Sequence, residues 1–139
     1  MDKRFFFLIN MAQHRMFKFA DVQCKERLGL SVTQATALIF IAKNEGCLQK
    51  ELAAVVGQNQ SAITGLIGRM QKNDLIDRRA CEEDGRASRL YLSAEGQSKL
   101  LEVFPLIKEL NHKISAQFSD EELETVARFL NVMIDDFKY

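Results

Sequence analysis

A mostly α-helical chain carrying one small β hairpin is the fold class this sequence predicts, and three observations predict it. Only seven glycines and one proline interrupt 139 residues, which leaves long stretches free to remain helical. Ser31 with Gln34, and Ser119 with Glu122, are capping-box pairs: the hydroxyl takes an orphan helix N–H and the longer side chain reaches back to the cap residue. An Asp84-Gly85 turn signal separates two short strand-like runs. With 47% apolar and 27% charged residues, the chain can fill a core and does not have the composition of a disordered segment.

Asp2 to about Leu28 carries Phe5, Leu8, Ile9, Met16, Phe17, Phe19 and Ala20 with no glycine or proline before Gly29, and reads as one long first helix. Its apolar positions spread too widely around the helix for a single contact with a small domain, so a partner surface is expected to cover some of them. Lys3 and Arg4 precede an apolar run that stops at Asn10. A secretory signal needs a longer apolar core and a small-residue cleavage site, and no stretch has the length of a membrane span. Cys24, Cys47 and Cys81 are odd in number and widely spaced, which suits a cytoplasmic protein better than a disulfide framework.

After the Ser31 cap, Ala35, Leu38, Ile39 and Ala42 repeat at helical spacing, and Gly46 supplies a stop. Lys50 to Val56 is a third, two-turn helix with Leu52, Val55 and Val56 inward; it has no Ser, Thr or Asp cap and is ended by Gly57. Asn59 is the expected N-cap of a fourth helix running to about Asn73. Two helices joined so tightly make a helix-turn-helix. Leu75 to Cys81 and Ser88 to Leu92 then read as strands, the second alternating Ser88, Leu90 and Leu92 against Arg89 and Tyr91. A helix-turn-helix followed by a hairpin is a winged helix. Ser93 caps a fifth helix to about Phe118, with a kink expected at Pro105. The Ser119 box opens a last helix whose Leu123, Val126, Phe129, Leu130, Met133, Ile134 and Phe137 form a broad apolar stripe.

The fourth helix carries the functional signal. Ile63, Leu66, Ile67 and Met70 fall on one face, leaving Ser61, Thr64, Gly65 and Gly68 on the other. A face needed only for solubility would usually carry Lys and Glu, whereas short hydroxyls and glycines let another backbone come close, and double-stranded DNA is the leading candidate. Arg69 and Lys72 suit phosphate contacts. Net charge is zero, but Met1 to Ser93 holds fourteen basic and ten acidic residues, a net of +4, against five and nine, a net of −4, from Ala94 onward. An anionic partner is therefore expected for the first part.

The run LQKELAAVVGQNQSAITGLIGRMQKNDLIDR, residues 48–78, followed by DGRASRLYLSAEG, residues 84–96, resembles the MarR family of bacterial winged-helix regulators, and the similarity covers nearly the whole chain. The resemblance implies a single domain over 1–139, with residues 1–30 and 94–139 as intertwining dimerisation helices and 31–93 as the winged helix-turn-helix. It implies a homodimer on a palindromic site, the fourth helix in a major groove and the wing on a minor groove. A small-molecule effector would bind between the terminal helices and the winged helix and relieve repression. By the same analogy Asp84 and Arg86 are the wing pair, the arginine entering the minor groove while the aspartate orients it, and Ser61, Thr64 and Arg69 match positions facing bases or phosphates. Gly65 stands where many relatives carry a base-reading arginine, which shifts base discrimination toward Asn59, Gln60 and Thr64. Gly85 and Ser88 replace basic wing residues of relatives, so a modest electrostatic contribution is expected.

Other readings are weighed against this one. The cysteines suggest a thiol-based redox regulator if one is an exposed, low-pKa thiolate, although buried structural cysteine is the commoner fate. Zero net charge and Gly65 suggest a helical dimerisation or protein-interaction module without DNA binding. His14 and His112 are isolated, and no C-x-x-C or H-x-x-x-H pattern occurs, so no metal and no cofactor is expected. Without a nucleophile elbow or P-loop glycine pattern, nothing supports an enzyme.

Overall fold

A computed structural model of the chain describes residues 1–83, 85 and 87–138. The elements follow the order α1 (Phe5–Leu28), α2 (Val32–Lys43), β1 (Cys47–Leu48), α3 (Gln49–Val56), α4 (Gln60–Lys72), β2 (Ile76–Ala80), β3 (Ser88–Leu92), α5 (Ala94–Ser115) and α6 (Asp120–Asp136). Two compact units divide the chain between Pro105 and Leu106.

In the first unit, the start of α1 is set by local hydrogen bonds. It begins three residues later than expected, because the Asp2 carboxylate captures the Arg4 backbone N–H at 2.9 Å and the Arg4 guanidinium at 2.8 Å. Such side-chain-to-backbone bonds compete with helix formation. The Asp21 carboxylate accepts the Val32 N–H at 2.9 Å, fixing the start of α2 against α1. That start carries the expected capping box, Ser31 Oγ accepting from Gln34 and Gln34 Oε1 accepting from Ser31. Ala35, Ala37, Leu38 and Ile41 of α2 are buried, and α2 packs against α1, α3 and β3.

The sheet differs from the expected hairpin. It has three antiparallel strands in the order β1-β3-β2, because Cys47 pairs with Leu90 and Leu48 with Arg89. Strand β2 is shorter at each end than the Leu75–Cys81 reading and pairs Ile76 with Leu92 through Ala80 with Ser88. The register sets Arg79 opposite Arg89, a like-charge pair that would repel. Each finds another partner: Arg79 lies 4.1 Å over the Tyr91 ring, while Arg89 donates to Gly46 O at 2.8 Å.

Helix α3 begins one residue before the expected Lys50. In place of a hydroxyl cap, Glu51 Oε1 accepts the Leu48 N–H at 3.3 Å. Gly57 ends it in the left-handed region, φ 66°, which a residue with a Cβ adopts only at a cost. Ser93 caps α5 as expected, its Oγ accepting from Gly96 N at 2.9 Å while donating to Asp74 O. A Cβ on Gly96 would overlap the Leu75 carbonyl oxygen, so the α5 backbone runs directly against the chain entering β2. The helix stops at Ser115, three residues short of the expected Phe118.

The second unit holds the rest of α5 and α6. Helix α6 has the expected box, Ser119 Oγ accepting from Glu122 N and Glu122 Oε1 from Ser119 N, yet it buries no residue. Among the described residues, no helix is long and apolar enough to cross a membrane.

Candidate nucleic-acid interface

The exposed side of the winged helix is made by the first turn of α3, helix α4, and strands β2 and β3. These elements line a cleft of about 540 Å³, whose walls include Gln49, Lys50, Gln60, Thr64, Arg78 and Arg89. Helix α4 is held here by its inward face: Ile63, Leu66, Ile67 and Met70 are all buried. Burying each such side chain contributes about 1.5–3 kcal/mol, so the orientation of the outward face follows from the core. Gln60, Ser61, Thr64, Gly68 and Arg69 are exposed and Gly65 is half-buried. The structure thus places five sequence-selected residues, Asn59, Gln60, Ser61, Thr64 and Arg69, along one helix. Asp84 and Arg86 lie outside the described residues.

Hydrogen bonding restricts what these side chains offer. Asn59 Oδ1 caps α4 by accepting from Ala62 N at 2.9 Å, so its amide NH₂ group is the part free to donate outward. Thr64 Oγ1 donates to the Gln60 carbonyl at 2.8 Å and accepts from Gln49 Nε2 at 3.1 Å. Gln49 was not selected from sequence; only the angle between two helices brings it to a residue fifteen positions away.

Gly65 and Arg69 form a unit one helical turn apart. A Cβ on Gly65 would lie 3.3 Å from Arg69 Nη1, so the guanidinium extends over the surface left by the missing side chain. At Gly65, which has no side chain of its own, the chain thus lays an arginine across from the next turn. The pairing was readable in principle, because residues i and i+4 are neighbours on a helix.

The wing carries more positive charge than the sequence reading selected. Arg78 Nε donates to Ser88 Oγ at 2.8 Å, so Ser88 holds a cation supplied by the facing strand. Arg89 also faces Glu83 at 3.8 Å, an exposed contact worth at most about 1 kcal/mol. Arg78, Arg79 and Arg89 went unselected because in an alternating strand a charge signals solvent before it signals a ligand.

All three cysteines are buried and unpaired with one another. Burial, reinforced by Asp21, raises the Cys24 thiol above its usual value; burial, reinforced by Glu51 and Glu45, pushes that of Cys47 up to about 11. Both shifts disfavour the thiolate that oxidants attack. Among the described residues, no group of three His, Cys, Asp or Glu side chains is placed to hold a metal.

A helix-turn-helix with one face packed and the other small and polar, followed by an antiparallel wing, is a winged-helix fold. The MarR family's model matches residues 28–87 of this chain. The HTH-type transcriptional regulator BilQ of Clostridium symbiosum is 29% identical over 102 residues, 71% of either chain. The transcriptional repressor MprA of Escherichia coli is 25% identical over 138 residues, covering 94% of this chain and 78% of its own. The S. aureus MepR–DNA complex superposes with a TM-score of 0.86 at 21% identity, covering 99% of this chain and all of the other.

Proposed function

We propose that this regulator is a homodimeric repressor that reads a palindromic DNA site and is released by a small-molecule ligand. The carrying observation is the outward face of α4, small and polar opposite four buried residues, with Arg69 laid along it. In this reading Asn59, Gln60, Ser61 and Thr64 meet base edges, Arg69 meets a base or phosphate, and Arg86, oriented by Asp84, enters the minor groove. Two-fold symmetry sets half-sites about one turn, roughly 10 base pairs, apart. Residues 31–93 form the reader, and 1–30 with 94–139 supply the dimer surface. Helix α1 buries only Cys24, α6 buries nothing, and Phe6 is 91% and Ile134 68% exposed. Apolar faces of this extent suit a second copy of the chain. Repression is supported by the name of MprA, and DNA engagement by the MepR complex; release by a ligand rests on the family resemblance.

Selection from random duplexes, followed by a salt titration of the selected site, tests this reading. A palindromic site and a steep loss of affinity with salt are expected, and Arg86→Ala should weaken binding about tenfold. Selection that enriches nothing, with negligible affinity at low salt, would favour the interaction-module reading and end this one.

A further inference from the structure

We infer that Gln49, outside the recognition helix, is a positioning residue that sets the base preference of Thr64. The inference rests on the reading of α4 as the DNA-facing helix. A threonine hydroxyl has one hydrogen to donate and two lone pairs to accept. The hydrogen is directed to the Gln60 carbonyl at 2.8 Å, and one lone pair faces Gln49 Nε2 at 3.1 Å. The glutamine's amide nitrogen, and not its oxygen, must face Thr64, because the hydroxyl hydrogen already points to Gln60. One lone pair and the side-chain methyl are left for the groove.

That remainder selects among base edges. In the major groove a G·C pair shows the guanine acceptors N7 and O6 and the cytosine N4 amino donor but no methyl, whereas an A·T pair shows the adenine N6 amino donor beside the thymine methyl. An accepting, methyl-bearing Thr64 is matched to A·T and mismatched to guanine. Without Gln49 the hydroxyl has a free lone pair and is less firmly held toward Gln60. It can then rotate and donate to guanine, and the preference relaxes. Gln49 is half-buried at the first position of α3, beside the cleft that separates α4 from the wing, so a change in it leaves the α4 sequence untouched.

The test compares full-length wild-type protein with Gln49→Ala and with Gln49→Met, which keeps the side-chain length and lacks the donor. Each is put through selection from random duplexes, and Thr64→Ala identifies the base pair facing position 64. At that pair, replacing A·T by G·C should weaken wild-type binding about fivefold or more. Both Gln49 variants should discriminate there by less than about twofold, with preferences elsewhere in the site and the salt slope retained. A wild-type site whose preferences are identical in both variants, or a uniform loss of affinity at every position, would overturn the role of Gln49 while leaving the DNA reading in place. Failure of wild-type protein to select any site would overturn both.

Discussion

Helices α4 and α6 are written in the same apolar code and have opposite fates. In α4, Ile63, Leu66, Ile67 and Met70 are all buried. Within the stripe of α6 and its C-cap, Val126, Leu130, Ile134 and Phe137 are each more than 40% exposed. Amphipathic periodicity states that a face is to be covered, but not by what. For α4 the cover is the chain's own α3 and β2. For α6 it is proposed to be another copy, so the two helices should answer differently to the same kind of change.

The largest expected effect is on the α6 side. Leu130→Asp combined with Ile134→Asp places two charges in the proposed dimer surface, where unpaired burial costs several kcal/mol. Sedimentation should show a monomer at concentrations where the parent is dimeric, with DNA affinity reduced at least 100-fold. An unchanged oligomeric state would remove the comparison's second half. Next, Leu66→Ala in α4 should lower stability by about 3 kcal/mol through the cavity it leaves. Denaturant melts should show this loss in the monomeric α6 variant too, since the core of α4 lies within one chain.

Smaller effects sharpen the contrast within α4 itself. A Cβ on Gly68 meets nothing within 4 Å, so Gly68→Ala should stabilise the isolated protein by about 0.5–1 kcal/mol. If the glycine is there for close approach of DNA, affinity should fall in the same variant; a gain in both would remove the close-approach argument. The smallest effect concerns acid. The Val32 N–H first, and Lys25 second, hold the Asp21 carboxyl below its usual 3.8. A carboxylate with a lowered folded pKa adds stability that is fully present above the unfolded value and disappears as pH falls through the folded one. Asp21→Asn should therefore destabilise by about 1 kcal/mol at neutral pH and converge on the parent as pH falls below the usual carboxylate range and through the lowered folded value. A difference that persists unchanged in acid would show that the carboxylate's charge is not what matters.

Much of this fold was legible because its signals are local. The Ser31 and Ser119 boxes, the Asn59 cap, the Ser93 cap and the β3 boundaries each depend on side chains within a few residues of the backbone they control. The inward face of α4 was legible for the same reason, since helical spacing alone puts Ile63, Leu66, Ile67 and Met70 together. What was missed involves distance or competition. Strand β1 is two residues long and gains its identity from Leu90 and Arg89, more than forty positions away. The early residues of α1 lost to an aspartate that holds the Arg4 backbone first.

The sequence by itself determined that one face of α4 is apolar and the other small and polar, which is a property of spacing and residue type. Tertiary structure decided which hydrogen-bonding groups on that outer face remain available. Gln49 reaches Thr64 only once the core has set the angle between α3 and α4 and fixed which way α4 turns. A donor or acceptor is removed from recognition by whatever partner the fold brings within about 3 Å, and sequence spacing does not supply that distance.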